Sequence, residues 1–281
     1  MNDLHFKLKA KWEKLEKDDG CPSELNKINT VDYKQLSKIF KDSDIKKIDK
    51  LIEDFYTGNI LIIKKCFTKE FFEKVKSYLK ANFDNQKSAF YKIKEGCPNF
   101  HTVVGNKESS KYAIPSNRHD YYFFPWNRKK EKLDLFHYFY PKWRLAKSLS
   151  GLRKDQFENN TPKDKDTVDR LLIRIYPNNS GFLNTHTDPP VFRLGTSIIM
   201  SKRGSDFEKG GLYFIKNKKI FNVENYFDIG DIVLFYTTLK HGVEKISSNK
   251  NKFKSGDRWW ANFSQPTSDE AEKRILQKAV Y

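Results

Sequence analysis

His186 and Asp188 stand two positions apart in SGFLNTHTDPP, residues 180–190. In a strand, side chains at i and i+2 share a face, so this pair can point one way and grip one ion. Neutral imidazole and carboxylate suit a divalent first-row metal. Two histidines and one carboxylate on one side leave coordination positions open for a second ligand. A His-x-Asp triplet alone is common, and a second histidine is what raises its meaning. His241 opens HGVEKI, directly after GDIVLFYTTLK, which reads as a buried strand entered through a Gly-Asp turn. Where strands distant in sequence become neighbours, His241 completes the set of three. The other histidines fit bland roles: His5 in an N-terminal helix, His137 on an aromatic helix, His101 and His119 in an irregular region.

Such a set needs a scaffold, and 281 residues are enough for one good core with a small appendage. Aromatics at 15% argue for a folded chain despite 32% charged residues. The net charge of +17 would attract nucleic acid, anionic lipid or an anionic substrate. Its lysines are spread over the whole chain, so charge alone identifies no partner. No stretch has the apolar core of a signal peptide or the roughly 20 apolar residues of a membrane span. Cys21, Cys66 and Cys97 are scattered and odd in number, as expected of reduced thiols in a cytoplasmic protein.

The spacing of apolar residues predicts helices through residues 1–58, including VDYKQLSKIF and DSDIKKIDKLIEDFY, the second capped by Asp42 or Ser43. NILIIKKCF reads as a short strand, and TKEFFEKVKSYLKANF as an amphipathic helix with Thr68 as N-cap. Residues 85–128 read as irregular and aromatic-rich. A helix is expected across KEKLDLFHYFYPKWRLAKSL, broken at Pro141. From Val168 the texture changes to eight short β-branched and aromatic runs: VDRLLIRIY, GFLNTHTD, GTSIIMS, GGLYFI, KIFNVE, DIVLFYT, HGVEKIS and RWWANFS. Gly, Asn, Asp and Pro separate them, which suggests a sandwich or jelly roll rather than alternating βα units. The expected class is therefore α+β. A helical and irregular N-terminal part (1–167) packs on a jelly-roll core (168–266), and a C-terminal helix follows (267–281), all as one structural domain.

From about Val168 to Ser264 the sequence resembles the iron(II)/2-oxoglutarate-dependent oxygenases, nearest to the prolyl-hydroxylase and phytanoyl-CoA-hydroxylase branches. RIYPNNSGFLNTHTD, KGGLYFI, FDIGDIVLFY, HGVEKI and GDRWWANF follow in the family's order. The resemblance implies a double-stranded β-helix, iron(II) held by His186, Asp188 and His241, and 2-oxoglutarate and dioxygen as cosubstrates. It implies oxidative decarboxylation to succinate with hydroxylation of a C–H bond. Tyr176, ten residues before His186, would reach bound 2-oxoglutarate from the barrel interior. Arg258 would anchor the distal carboxylate, because guanidinium stays charged when desolvated and meets a carboxylate with two parallel hydrogen bonds. RWWANF alternates, so Arg258, Trp260 and Asn262 share one face, and Trp259, Ala261 and Phe263 share the other. Lys245, Lys250, Lys252 and Lys254 rival Arg258 by charge, and Lys245 also shares strand parity with His241.

The substrate is the open part. SNRHDYYFFPWNR (116–128) carries Arg118 among aromatics, and Arg193 follows HTDPP; either arginine can meet a polar or anionic group. A small molecule, sugar, lipid or amino-acid-type compound fits equally well. One alternative is a nucleic-acid demethylase on the same core; the arginine and asparagine spacing after Arg258 does not favour it. Another is a non-catalytic cupin-like binding protein in which HTD and His241 merely finish strands.

Overall fold

The computed structural model describes residues 2–267, apart from 18, 19, 92, 94, 106–113, 164, 190, 191, 250 and 254. The expected C-terminal helix lies outside the described residues. All eight runs after Val168 form strands: β5 (Arg170–Tyr176), β6 (Phe182–His186), β7 (Leu194–Ile199), β8 (Lys209–Lys216), β9 (Lys219–Asn222), β10 (Ile232–Tyr236), β11 (His241–Ser247) and β12 (Arg258–Ser264). The first of these pairs with the last, the second with the seventh, the third with the sixth and the fourth with the fifth, all antiparallel. That nesting is the double-stranded β-helix, or jelly roll. It yields two four-stranded halves, β10-β7-β12-β5 and β6-β11-β8-β9, which a strand from the N-terminal part joins into one 12-stranded sheet.

The N-terminal part extends the sheet of the first half and covers its outer face. Strands β1 (Ile28–Asp32) and β2 (Ile60–Lys64) continue it beyond β10, β1 parallel to β2. Helices α1 (Asn2–Leu15), α2 (Tyr33–Lys41), α3 (Ile45–Tyr56), α4 (Lys69–Phe83) and α5 (Leu135–Leu149) contribute to one hydrophobic core together with that sheet. The alternation in β12 decides the layering. Phe263 stacks on Trp143 of α5 at 4.7 Å, while Arg258, Trp260 and Asn262 face the barrel interior. Among the described residues, no helix is long and apolar enough to cross a membrane, and no disulfide joins Cys21, Cys66 and Cys97.

Four local expectations are corrected. Residues 85–128 are not all irregular: β3 (Phe100–Val104) and β4 (Ser116–Phe123) extend the first sheet past β5. Both faces of β4 are buried, Tyr121 and Phe123 against the helices and Arg118 and Tyr122 toward the interior, so no polar face betrays its period. Residues 1–58 likewise include the edge strand β1. The cap of α3 is Asp44, whose side chain accepts from the Lys47 N–H, rather than Asp42 or Ser43; Thr68 caps α4 as expected. Finally, α5 runs unbroken through Pro141. An interior proline costs about 3 kcal/mol, whereas Leu135, Phe136, Phe139, Trp143 and Leu149 are all buried at about 1.5–3 kcal/mol each. Packing outweighs the local defect.

Candidate metal centre and its pocket

His186 ends β6 and His241 begins β11, and the two are direct partners across that ladder. Asp188 follows in the loop, where its N–H donates to the Thr237 carbonyl at 2.9 Å. One ligand atom from each of the three lies within 4.8 Å of the others. The imidazoles are aimed by their backbones. His186 Nδ1 is 2.9 Å from the Asn184 carbonyl, and His241 Nδ1 is 2.8 Å from that of Leu239. A carbonyl only accepts, so each Nδ1 carries the proton and each Nε2 presents its lone pair. Those Nε2 atoms lie 3.7 and 3.6 Å from the two Asp188 oxygens. Burial, and then the neighbouring His241, lower the His186 pKa to about 4, which keeps the ring neutral at ordinary pH. Two imidazoles on paired strands, with one carboxylate in the loop beside them, fit a divalent first-row metal and leave one side open.

The open side faces a pocket of about 290 Å³ between the sheets. Its wall on β5 and β12 is a ladder of facing pairs: Tyr176 with Arg258, Arg174 with Trp260, Leu172 with Asn262, Arg170 with Ser264. Tyr176 and Arg258 occupy the end away from the Asp188 loop. The Asp188 loop lies instead beside the start of β7, where Thr196 accepts from the Phe263 N–H near the end of β12. Arg258 is 2% exposed, and its Nε donates to Glu224 Oε1 at 2.6 Å. Glu224 also accepts from the N–H of Leu212, which pairs with Val243, two residues along β11 from His241. Arg258 is thus tied to β8 opposite Val243, about 7 Å along β11 from His241 of the candidate metal centre.

A second charged cluster backs the wall, behind the lining residues Arg118, Arg174 and Tyr122. Asp120, fully buried on β4, accepts from Arg174 through Nε and through Nη2 at 2.9 Å, from Arg118 Nε at 3.0 Å and from Tyr122 OH at 2.9 Å. Burial alone would raise its carboxyl, but the two guanidiniums win and hold it well below the usual carboxylate range.

Of the residues expected from sequence, the structure brings His186, Asp188, His241, Tyr176, Arg258 and Arg118 to this one pocket. Tyr176 is fully buried between Arg258 and Arg174, and its hydroxyl is 3.5 Å from Arg174 Nη1 rather than on backbone. Arg193 is not there. Its guanidinium makes two bonds to Glu16, one to the Ser150 carbonyl, and lies over Trp12, so it fastens α1 to the loop after Asp188. Lys245 and Lys252 are exposed and outside the lining, and Lys250 and Lys254 lie outside the described residues. Sequence reasoning missed Glu224 and Arg170, and reached Asp120 only as a neighbour of Arg118 in the 116–128 stretch. Arg170 and Arg174, charged positions in the otherwise apolar RLLIRIY, were the available signal.

Fold and site together define a jelly-roll protein with a candidate metal centre at the mouth of its barrel. No protein-family model matches the chain, and no curated protein matches it. Solved structures similar to it include a prolyl-4-hydroxylase of Pseudomonas putida, at 10% identity and TM-score 0.48, covering 78% of this chain and 99% of that one. A prolyl hydroxylase of Trichoplax adhaerens, solved with a hypoxia inducible factor peptide fragment, is similar at 13% identity and TM-score 0.43, covering 85% and 96%. A 2OG-Fe(II) oxygenase family oxidoreductase of Burkholderia pseudomallei is similar at 10% identity and TM-score 0.43, covering 77% and 89%.

Proposed function

We propose that the protein is an iron(II)- and 2-oxoglutarate-dependent dioxygenase that hydroxylates an unactivated C–H bond of a small-molecule, sugar, lipid or amino-acid-type substrate. The observation that carries this reading is the depth of Arg258: a buried guanidinium at the closed end of the pocket whose mouth holds His186, Asp188 and His241. A dicarboxylate held at the metal through its 2-oxo acid end would turn its other carboxylate into the pocket that Arg258 lines.

When bound, iron(II) and 2-oxoglutarate supply the oxidation, with succinate and CO2 as products and dioxygen as oxidant. The chain does the rest. His186 and His241 offer Nε2 because backbone carbonyls hold their Nδ1 protons, and Asp188 offers charge. Arg258 receives the distal carboxylate, with Tyr176 beside it able to donate its hydroxyl proton. Leu172, Leu183, Leu212, Val243 and Trp260 supply the apolar part of the lining and restrict water. Arg118, at the level of Tyr176, makes the wall cationic, which suits a polar or anionic ligand.

The test is anaerobic iron binding followed by 2-oxoglutarate-dependent succinate release under air, screened with pools of small compounds for stimulation. Asp188→Ala is expected to lose iron and abolish succinate formation while keeping the wild-type circular dichroism spectrum. Succinate formation by that variant at the wild-type rate rejects the assigned triad, and a wild-type protein that forms none rejects the function.

A further inference from the structure

Glu224 ends the short run KIFNVE and was no part of the site read from sequence, yet it is the group that grips Arg258. We propose that Glu224 is a positioning residue that selects the cosubstrate: it sets the Arg258 guanidinium so that the pocket admits 2-oxo acids bearing a distal carboxylate. This rests on the reading of Arg258 as the anchor.

The geometry is specific. Glu224 Oε1 takes two donors from opposite sheets, the Leu212 N–H of β8 and Arg258 Nε of β12, each at 2.6 Å. Nε is the one guanidinium donor that points back from the fork. Engaging it fixes the plane of the group and leaves both Nη groups for the pocket that Arg258 lines. Glu224 Oε2 has no hydrogen-bond partner among the described residues, although the carboxylate is buried. A buried carboxylate oxygen without a partner is an exception that asks for a role beyond tying two sheets together. Room for it is made on β8. At Gly211, with φ +106°, a Cβ would stand 2.2 Å from Glu224 Cγ. On its other flank Arg258 lies 5.9 Å from the Tyr176 ring. The guanidinium is thus held by Glu224 on one side and by an aromatic face on the other before any ligand arrives.

A charge consequence separates this role from simple attraction. Glu224 neutralises Arg258, so the pair selects by the direction of its donors more than by net charge. Withdrawing the carboxylate while keeping its charge must therefore do more harm than removing the charge while keeping its shape. Glu224→Asp does the first and Glu224→Gln the second.

The iron(II) protein is titrated without oxygen with two ligands, followed by their charge-transfer absorption. One is 2-oxoglutarate; the other is pyridine-2-carboxylate, which chelates iron with no distal carboxylate. Glu224→Asp is expected to raise the Kd for 2-oxoglutarate about tenfold or more, as for loss of a charge-assisted hydrogen bond. Glu224→Gln is expected to raise it less, with iron content and the pyridine-2-carboxylate Kd unchanged in both. Wild-type 2-oxoglutarate affinity in Glu224→Asp overturns the inference, as does equal weakening of both ligands, which marks a merely structural residue. Failure of the underlying reading looks different. A wild-type iron protein that binds no 2-oxoglutarate, or an Arg258→Met variant that binds it normally, removes the anchor and this inference with it.

Discussion

Asp120 is buried against two guanidiniums, which ties part of the protein's stability to its ionised form. Arg174 and Arg118 hold its pKa below the ordinary value of 3.8 against the opposing effect of burial. A depressed pKa means the native state binds the proton less tightly than the unfolded chain. The stability Asp120 contributes is therefore fully present above pH 3.8 and is lost as pH falls toward the depressed value. Asp120→Asn leaves two buried arginines facing a neutral amide and is expected to cost about 3–5 kcal/mol at neutral pH. Thermal unfolding followed from pH 7 downward checks both parts: the variant starts lower and lacks the part of the acid-dependent fall that Asp120 supplies. At this scale the sequence was readable where chemistry is written in residue type, as in His186, Asp188 and His241. It was not readable where a charge is buried by partners far away, because Glu224 acquires its meaning only from Arg258, 34 positions on.

The ladder between β6 and β11 is what turns two distant histidines into one site, and its closeness depends on Gly242. A Cβ there would meet Tyr213 Oη at 2.5 Å and the Leu183 carbonyl at 2.7 Å. Through the space it leaves, the Tyr213 hydroxyl reaches Thr185 Oγ1 at 2.6 Å, one residue from His186. Gly242→Val would push β6 away from β11 and separate His186 from His241. It is expected to weaken iron binding about 10- to 100-fold, the range for lost support of metal ligands, while the chain still unfolds cooperatively. Iron titration alongside a denaturant curve is the check; unchanged iron affinity would show that β6 carries His186 without needing this contact. The eight core strands were legible because Gly, Asn, Asp and Pro punctuate them at short intervals. β4 was not, since its two buried faces put Arg118 and Asp120 among Tyr121, Tyr122 and Phe123 and erase the alternation. Pro141 misled for a related reason: local backbone preference speaks first in the sequence, whereas the packing of Phe139 and Trp143 appears only in three dimensions.

The helices and the barrel share a core, so the protein should lose both together. Trp12 of α1 is fully buried, stacks on Tyr236 at 5.5 Å, and donates its indole N–H to the Leu149 carbonyl at the end of α5. Trp12→Ala is expected to destabilise the whole protein by about 3–5 kcal/mol. Far-ultraviolet circular dichroism and iron release should still report one transition; two separate transitions would mean that the helical part melts by itself. The clasp between Glu16 and Arg193 has a further consequence, in the order of events at the ribosome. Its partners are 177 positions apart. At the ordinary pace of synthesis, about 5–20 residues per second, α1 waits roughly 10–35 s for its partner to emerge. Throughout that wait Leu8 and Trp12, fully buried in the finished protein, have no barrel to cover them. The nascent chain should therefore engage chaperones through α1, and a fast-folding partner fused ahead of α1 should alter the yield of folded protein rather than merely tag it.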